Sequence, residues 1–100
     1  MPAEISVLYP QGAKFNLDYY LKSHMPLVFE TWSPLGLKSW KVAEFPDDQP
    51  FKIQATLVWE ELSAFQSAAG GPTAKKVLDD IPNFSDKQPT FLTGTVVGTS

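Results

Sequence analysis

The chain has no cysteine, no arginine and a single histidine among its 100 residues. Each shortage removes a class of chemistry. Without cysteine there is no disulfide, no thiolate nucleophile and no zinc–thiolate site. One imidazole cannot build a histidine-rich metal centre; a metal would need carboxylates, and none is expected. Arginine is the side chain that grips phosphate or carboxylate through two parallel hydrogen bonds. Its absence, a net charge of −3 and eight scattered lysines leave no basic stripe for a polyanion, so no nucleic-acid partner is expected. No apolar run approaches membrane-spanning length, and Met1-Pro-Ala-Glu4 lacks the charged and apolar regions of a leader. The expectation is a cytoplasmic protein with no membrane partner. Repeats, low-complexity tracts and linkers are also missing, and residues 1–100 read as one domain.

What the chain does have is apolar and aromatic material, 43% and 13% of its residues, enough to build a core. Ala3 to Tyr9 alternates, with Ile5, Val7 and Tyr9 on one face and Glu4, Ser6 and Leu8 on the other, as a strand does. Lys38 to Phe45 reads as a second strand and Phe51 to Trp59 as a third, joined by the turn 46–50. Thr90 to Val97, rich in threonine and valine, is the fourth. Between the first two strands lies a helix beginning at an Asn16 cap, with Phe15 and Tyr20 placed as a hydrophobic staple. Pro26 is expected to break or kink it just after His24. A second short helical piece then runs to about Ser33 and stops at Pro34-Leu-Gly36. Between the third and fourth strands, Ser63-Ala-Phe-Gln66 matches a capping box, Gly70-Gly71 stops that helix, and Thr73 to about Asp80 forms another. Residues 81–86 read as loop.

The order strand, helix, strand, strand, helix, strand is the ferredoxin-like βαββαβ layout of an α+β protein. It gives a four-stranded antiparallel sheet with the helices on one face. The other face would carry Leu8, Val58, Trp40 or Phe45, and Phe91 or Leu92, among Ser6, Lys52, Gln54 and Thr56. That is too apolar for a plainly solvated face. A homodimer, two sheets meeting across a two-fold axis, would cover it; the alternative is a monomer with a few exposed apolar residues.

The candidate site lies on the first helix. Leu17, Tyr20, Leu21, His24 and Val28 follow helical spacing, which puts Tyr20 and His24 one turn apart on one side. An imidazole in a last helical turn would feel the negative dipole end and favour its charged form. The pair reads either as a Tyr/His couple facing a pocket or as a buried histidine satisfied by a carbonyl beside a core tyrosine. Asp18, six residues before His24, points away from it and belongs to the helix start. A carboxylate to orient His24 would come from elsewhere, with Glu4, Glu44 and Asp79 as candidates. Asp79-Asp80 reads as a solvated helix end.

The spacing Phe15-x-x-Asp-Tyr-Tyr-x-x-x-His-x-Pro-Leu27, followed by Gly36-Leu37 leading into a strand, resembles the EthD family of the dimeric α+β barrel superfamily. Ala64-Phe65, Ala68-Ala69 and Lys76-Val-Leu-Asp-Asp80 ahead of a phenylalanine are similar to that family's second half. The resemblance covers essentially the whole chain. It implies the same fold and a pocket between helices and sheet for a small, mostly apolar molecule. It also implies His24 as the site's acid or base. Relatives include cofactor-independent oxygenases, lactone isomerases and polyketide-tailoring enzymes, alongside proteins with no assigned reaction. Trp40 stands where some relatives have a tyrosine, and the further histidines or cysteines of catalytic relatives are missing, which argues against isomerase and haem-dependent chemistry.

Two functions follow. In the first, a cofactor-free enzyme of oxidoreductase-like or proton-transfer type acts on an apolar or aromatic metabolite in catabolism or tailoring. His24 is then the general base, with an intrinsic pKa of about 6.5, and Tyr20 or Tyr19 donates to a substrate oxygen. Trp40, Trp59 and Phe91 are apolar walls. In the second, the same pocket serves a non-catalytic carrier, with His24 and Tyr20 as polar anchors. No cofactor is expected in either.

Overall fold

The computed structural model of the protein describes residues 1–100. Four strands, β1 (Ala3–Pro10), β2 (Leu37–Glu44), β3 (Phe51–Trp59) and β4 (Thr90–Thr95), form one antiparallel sheet in the order β2-β3-β1-β4. Helices α1 (Leu17–Tyr19), α2 (Met25–Trp32), α3 (Leu62–Ala69) and α4 (Ala74–Leu78) lie on the connections between β1 and β2 and between β3 and β4. This is the ferredoxin-like arrangement.

Register assigns the faces. Ile5 pairs with Leu57, Val7 with Ala55 and Tyr9 with Ile53, and these residues, with Trp59, form the buried floor beneath the helices. The same pairing places Glu4, Ser6, Leu8, Gln54, Thr56 and Val58 on the opposite face. Trp40 pairs with Leu57 and Val42 with Ala55, so both lie on the helix side and pack at the edge of the core. A bulge between Leu37 and Ser39 sets this phase. Phe91 pairs with Val7 and joins the same side, while Leu92 pairs with Ser6 and faces outward. Of the large residues expected on the outer face, Leu8 and Val58 are there; of Phe91 or Leu92 it is Leu92, and of Trp40 or Phe45 it is not Trp40.

The first helical stretch does not break at Pro26. Asn16 caps it, its side-chain oxygen accepting from the Tyr19 amide at 3.1 Å, and Phe15 packs on Tyr20 with ring centroids 4.9 Å apart. A proline in a helix removes one donor and crowds the carbonyl four residues back. The chain absorbs this by widening into a π-turn over Tyr20–His24, in which the Met25 amide donates to the Tyr20 carbonyl five residues earlier. Met25 keeps helical dihedrals (φ −64, ψ −39), and α2 continues through Trp32. Gly36 then turns the chain into β2 at φ +124, where an added Cβ would lie 3.0 Å from the Ala64 Cβ. Only glycine fits both the dihedral and the space.

The capping box at Ser63 does not form. α3 begins a residue earlier, behind an extended Glu61 that supplies no side-chain cap. The stretch after α4 is more ordered than a loop: Ile81–Asn83 is a 3-10 turn, and Phe84 is buried against Tyr9, Phe15, Tyr20 and His24.

Candidate functional site

His24 closes the π-turn, and its ring lies in a sleeve of aromatic groups. Tyr20 stacks on it, centroids 5.3 Å apart and planes within 13°, and Phe84 covers it at 4.4 Å. Only 5% of the residue is exposed. Its Nδ1 lies 2.9 Å from Oδ2 of Asp80, which follows α4 and precedes the 3-10 turn. The other carboxylate oxygen accepts from the Tyr19 hydroxyl at 2.7 Å and from Asn83 Nδ2 at 2.9 Å. Asp80 therefore ties the first helical stretch to the chain after α4 through two side-chain donors, Tyr19 and His24, while Asn83 fixes the carboxylate from its own turn.

This network assigns the tautomer. A carboxylate accepts only, so Nδ1 carries the proton and Nε2 keeps its lone pair. Nε2 makes no hydrogen bond to the protein, and the imidazole borders a cavity. Burial pushes the His24 pKa below its ordinary 6.5, and the Asp80 hydrogen bond and charge oppose this without overcoming it. Because the helix runs on through α2, His24 is not at a helix end, and the dipole argument for a charged imidazole does not apply. Burial alone would raise the Asp80 carboxyl, but the hydrogen bonds from Tyr19, Asn83 and His24 together hold it below its ordinary 3.8. The hydrogen bond to Asp80 chiefly holds the Tyr19 phenol protonated. At neutral pH the site is a neutral imidazole beside an ionised carboxylate, the arrangement of an oriented general base.

The cavity is partly open and almost wholly apolar, about 40 Å³, bordered by Tyr9, Tyr20, His24 and Trp32 among core aliphatics. An apolar groove of about 160 Å³ adjoins it, lined by Trp32, Phe65, Ala69, Ala74, Leu78 and Phe91. Trp32, Phe65, Leu78 and Phe91 border both spaces. Leu78 and Phe91, 43% and 46% exposed, stand between the cavity and solvent.

Among the expected site residues, Tyr20, His24 and Phe91 meet at the cavity. Tyr19 does not border it; its hydroxyl is committed to Asp80. Trp59 is fully buried behind Trp32 and Phe65, at 5.6 and 5.5 Å, and Trp40 lies at the sheet edge, so neither reaches the cavity. The orienting carboxylate is Asp80, not Glu4, Glu44 or Asp79. Asp79 is the solvated member of the pair and binds Lys75, whereas the Asp80 side chain is 12% exposed. Asp18 pairs with Lys22 on the surface, as a helix-start charge does. Sequence reasoning also missed Trp32, whose Nε1 donates to Thr73 Oγ1 at 3.0 Å, and Phe84. The Asp80–Asn83 spacing was the available signal for a carboxylate fixed by its own turn.

No protein-family model matches the chain, and no curated protein is significantly similar to it in sequence. Solved structures do match. An EthD-like protein from Ralstonia eutropha JMP134 superposes with a TM-score of 0.84 at 23% identity, covering 99% of this chain and 95% of that one. An ethyl tert-butyl ether D (EthD) family protein from Bacillus halodurans C-125 gives 0.74 at 20% identity, over 97% and 100%. The chain has the EthD-like fold. A dimeric ferredoxin-like protein of unknown function from Jannaschia sp. CCS1 shares it more distantly, with a TM-score of 0.65 at 13% identity over 95% and 98%. The EthD-like fold explains why the pocket lies where it does: both crossover connections cover the same sheet face, and the cavity is the gap between them.

Proposed function

We propose that this chain is an EthD-family protein that binds a small apolar or aromatic metabolite beside His24 and transfers a proton to or from it. The observation that carries the reading is the Asp80–His24 pair at 2.9 Å, buried in an apolar wall with Nε2 unpartnered. An orienting carboxylate fixes the tautomer whose free nitrogen is basic, and burial keeps that nitrogen unprotonated at neutral pH. Tyr20, stacked on the imidazole, holds its plane. A carrier would use the same cavity but gives the Asp80–His24 pair no task. No cofactor enters this scheme.

Because the cavity is water-sized, a ligand enters by displacing Phe91 or Leu78 and occupying the adjoining groove. The protein works as a homodimer, with the outer sheet face as its interface. Leu8, Val58 and Leu92 lie there around a polar patch in which Gln54 donates to Ser6 and Thr56. The dimeric character of a structural neighbour supports this.

The single histidine makes the test direct. The imidazole NMR signal, followed against pH with a panel of phenols, lactones and hydrophobic ethers, is expected to titrate below 6.5 and to shift with one compound. Turnover of that compound should vanish in His24→Gln. Ordinary titration and indifference to every compound would sink the proposal, and binding without turnover would favour the carrier. For the dimer, Leu92→Lys is expected to convert a sedimenting dimer to monomer; a wild-type monomer refutes the assembly.

A further inference from the structure

Two phenol hydroxyls at the cavity have no place in the Asp80 network. Tyr9 comes from β1 and Tyr20 from the π-turn; each is 1% exposed, and both border the cavity with His24. Their rings meet edge to face at 5.8 Å. The Tyr19 hydroxyl donates to Asp80, but no protein group bonds the Tyr9 or Tyr20 hydroxyl; unlike Thr31 Oγ1 and Trp59 Nε1, which are sealed without partners, these two still touch open space. Buried tyrosine hydroxyls nearly always find a partner. Two unpartnered hydroxyls on residues that border one almost wholly apolar cavity call for an oxygen from outside the chain.

The surroundings define that oxygen. No lysine borders the cavity, so an anionic group would be buried without a counter-charge. Burial holds both phenols protonated well above the ordinary phenol range, so both act as donors. His24 offers only a lone pair at Nε2 and cannot donate to an acceptor oxygen. The adjoining groove, about 160 Å³, matches the roughly 150 Å³ apolar cavity that accommodates benzene.

We propose that the Tyr9 and Tyr20 hydroxyls form a two-donor site for the carbonyl oxygen of a neutral, single-ring-sized apolar ligand. The proposal rests on the cavity being the ligand site and adds the class of ligand and the role of Tyr9.

The test uses two probes of one shape, acetophenone and α-methylstyrene, which differ in having C=O or C=CH₂. Their affinities are measured calorimetrically on the wild type, Tyr9→Phe and Tyr20→Phe. Each substitution removes one donor and is expected to weaken acetophenone about fivefold, leaving α-methylstyrene unchanged. The second probe also shows that the cavity survives in each variant. If acetophenone loses no more affinity than α-methylstyrene in both variants, the donor site is refuted and the pocket stands. If neither probe binds the wild type, the ligand pocket itself fails and the donor site with it.

Discussion

Replacing Asp80 by asparagine tests the organisation of the site without changing its shape. Asp80 accepts from the Tyr19 hydroxyl, Asn83 Nδ2 and His24 Nδ1, over 2.7 to 2.9 Å. An asparagine keeps one acceptor oxygen and presents an NH₂ group in place of the other. If the oxygen stays with Tyr19 and Asn83, the NH₂ faces His24 Nδ1, which must then accept. The proton moves to Nε2, and the base is lost. The charge-assisted bond from His24 is replaced by an ordinary one from the asparagine NH₂, and those from Tyr19 and Asn83 become ordinary ones. Hydrogen bonds to charged groups contribute about 1.5–3 kcal/mol each and neutral ones about 1. Three bonds lose about 0.5–2 kcal/mol each, and the cheaper burial of a neutral side chain brings the net loss to the lower part of that sum, about 2 kcal/mol. For a domain of this length that lowers Tm by about 8–16 °C. The assay is nitrogen NMR of the one imidazole, which reports the protonated nitrogen directly, together with thermal unfolding. Asp79→Asn, on the solvated neighbour, is the control and should change stability by less than about 0.5 kcal/mol. An unchanged tautomer and an unchanged Tm in Asp80→Asn would refute the reasoning.

Three further outcomes follow. His24 has its native pKa below 6.5, so as pH falls past 6.5 the unfolded chain takes up a proton that the native state resists. Stability is complete above that pH and declines down to the native pKa, with a further decline below 3.8 from Asp80. Urea midpoints across this range should show the first decline vanish in His24→Phe; a rise in wild-type stability on acidification contradicts the sign. Phe84→Ala removes a ring 2% exposed and packed on five aromatic neighbours, and should cost about 3–5 kcal/mol in urea unfolding, with less than about 1 kcal/mol showing that the segment after α4 is not an anchor. Gly36→Ala should destabilise more than Gly12→Ala, since both glycines have positive φ but only Gly36 has a neighbour within 4 Å of an added Cβ; equal losses would mean the Ala64 contact gives way freely.

The sheet was legible because strands carry their register in alternation: Ile5-Val7-Tyr9 and Ile53-Ala55-Leu57-Trp59 announce one buried face each. The choice between Trp40 and Phe45 for the outer face stayed open because the bulge at Lys38 shifts the phase of β2, and a bulge leaves no mark in a strand of mixed polarity. Pro26 was read by its intrinsic effect, correctly as a lost donor, but the answering π-turn depends on tertiary packing of Met25, Val28 and Trp32. His24 and Tyr20 stood out by rarity and spacing. Asp80 did not, because its role depends on a pairing across 56 residues, and neighbouring aspartates look alike until burial separates them.

The π-turn also makes the length of this helical stretch adjustable at one place. The widened turn holds one residue more than an α-turn, and each residue of an α-helix advances the chain by about 100°. Removing a single residue within Tyr20–His24, such as exposed Leu21, would let the turn close to ordinary geometry. The spare residue is the one given up, so the two ends keep nearly the same phase. Met25, Val28 and Trp32 then stay in the core, and Tyr19 stays within reach of Asp80. The same deletion in α2, where no turn has a residue to spare, would rotate everything on one side of it by that 100°, so the chain can shorten at the π-turn but not beyond it.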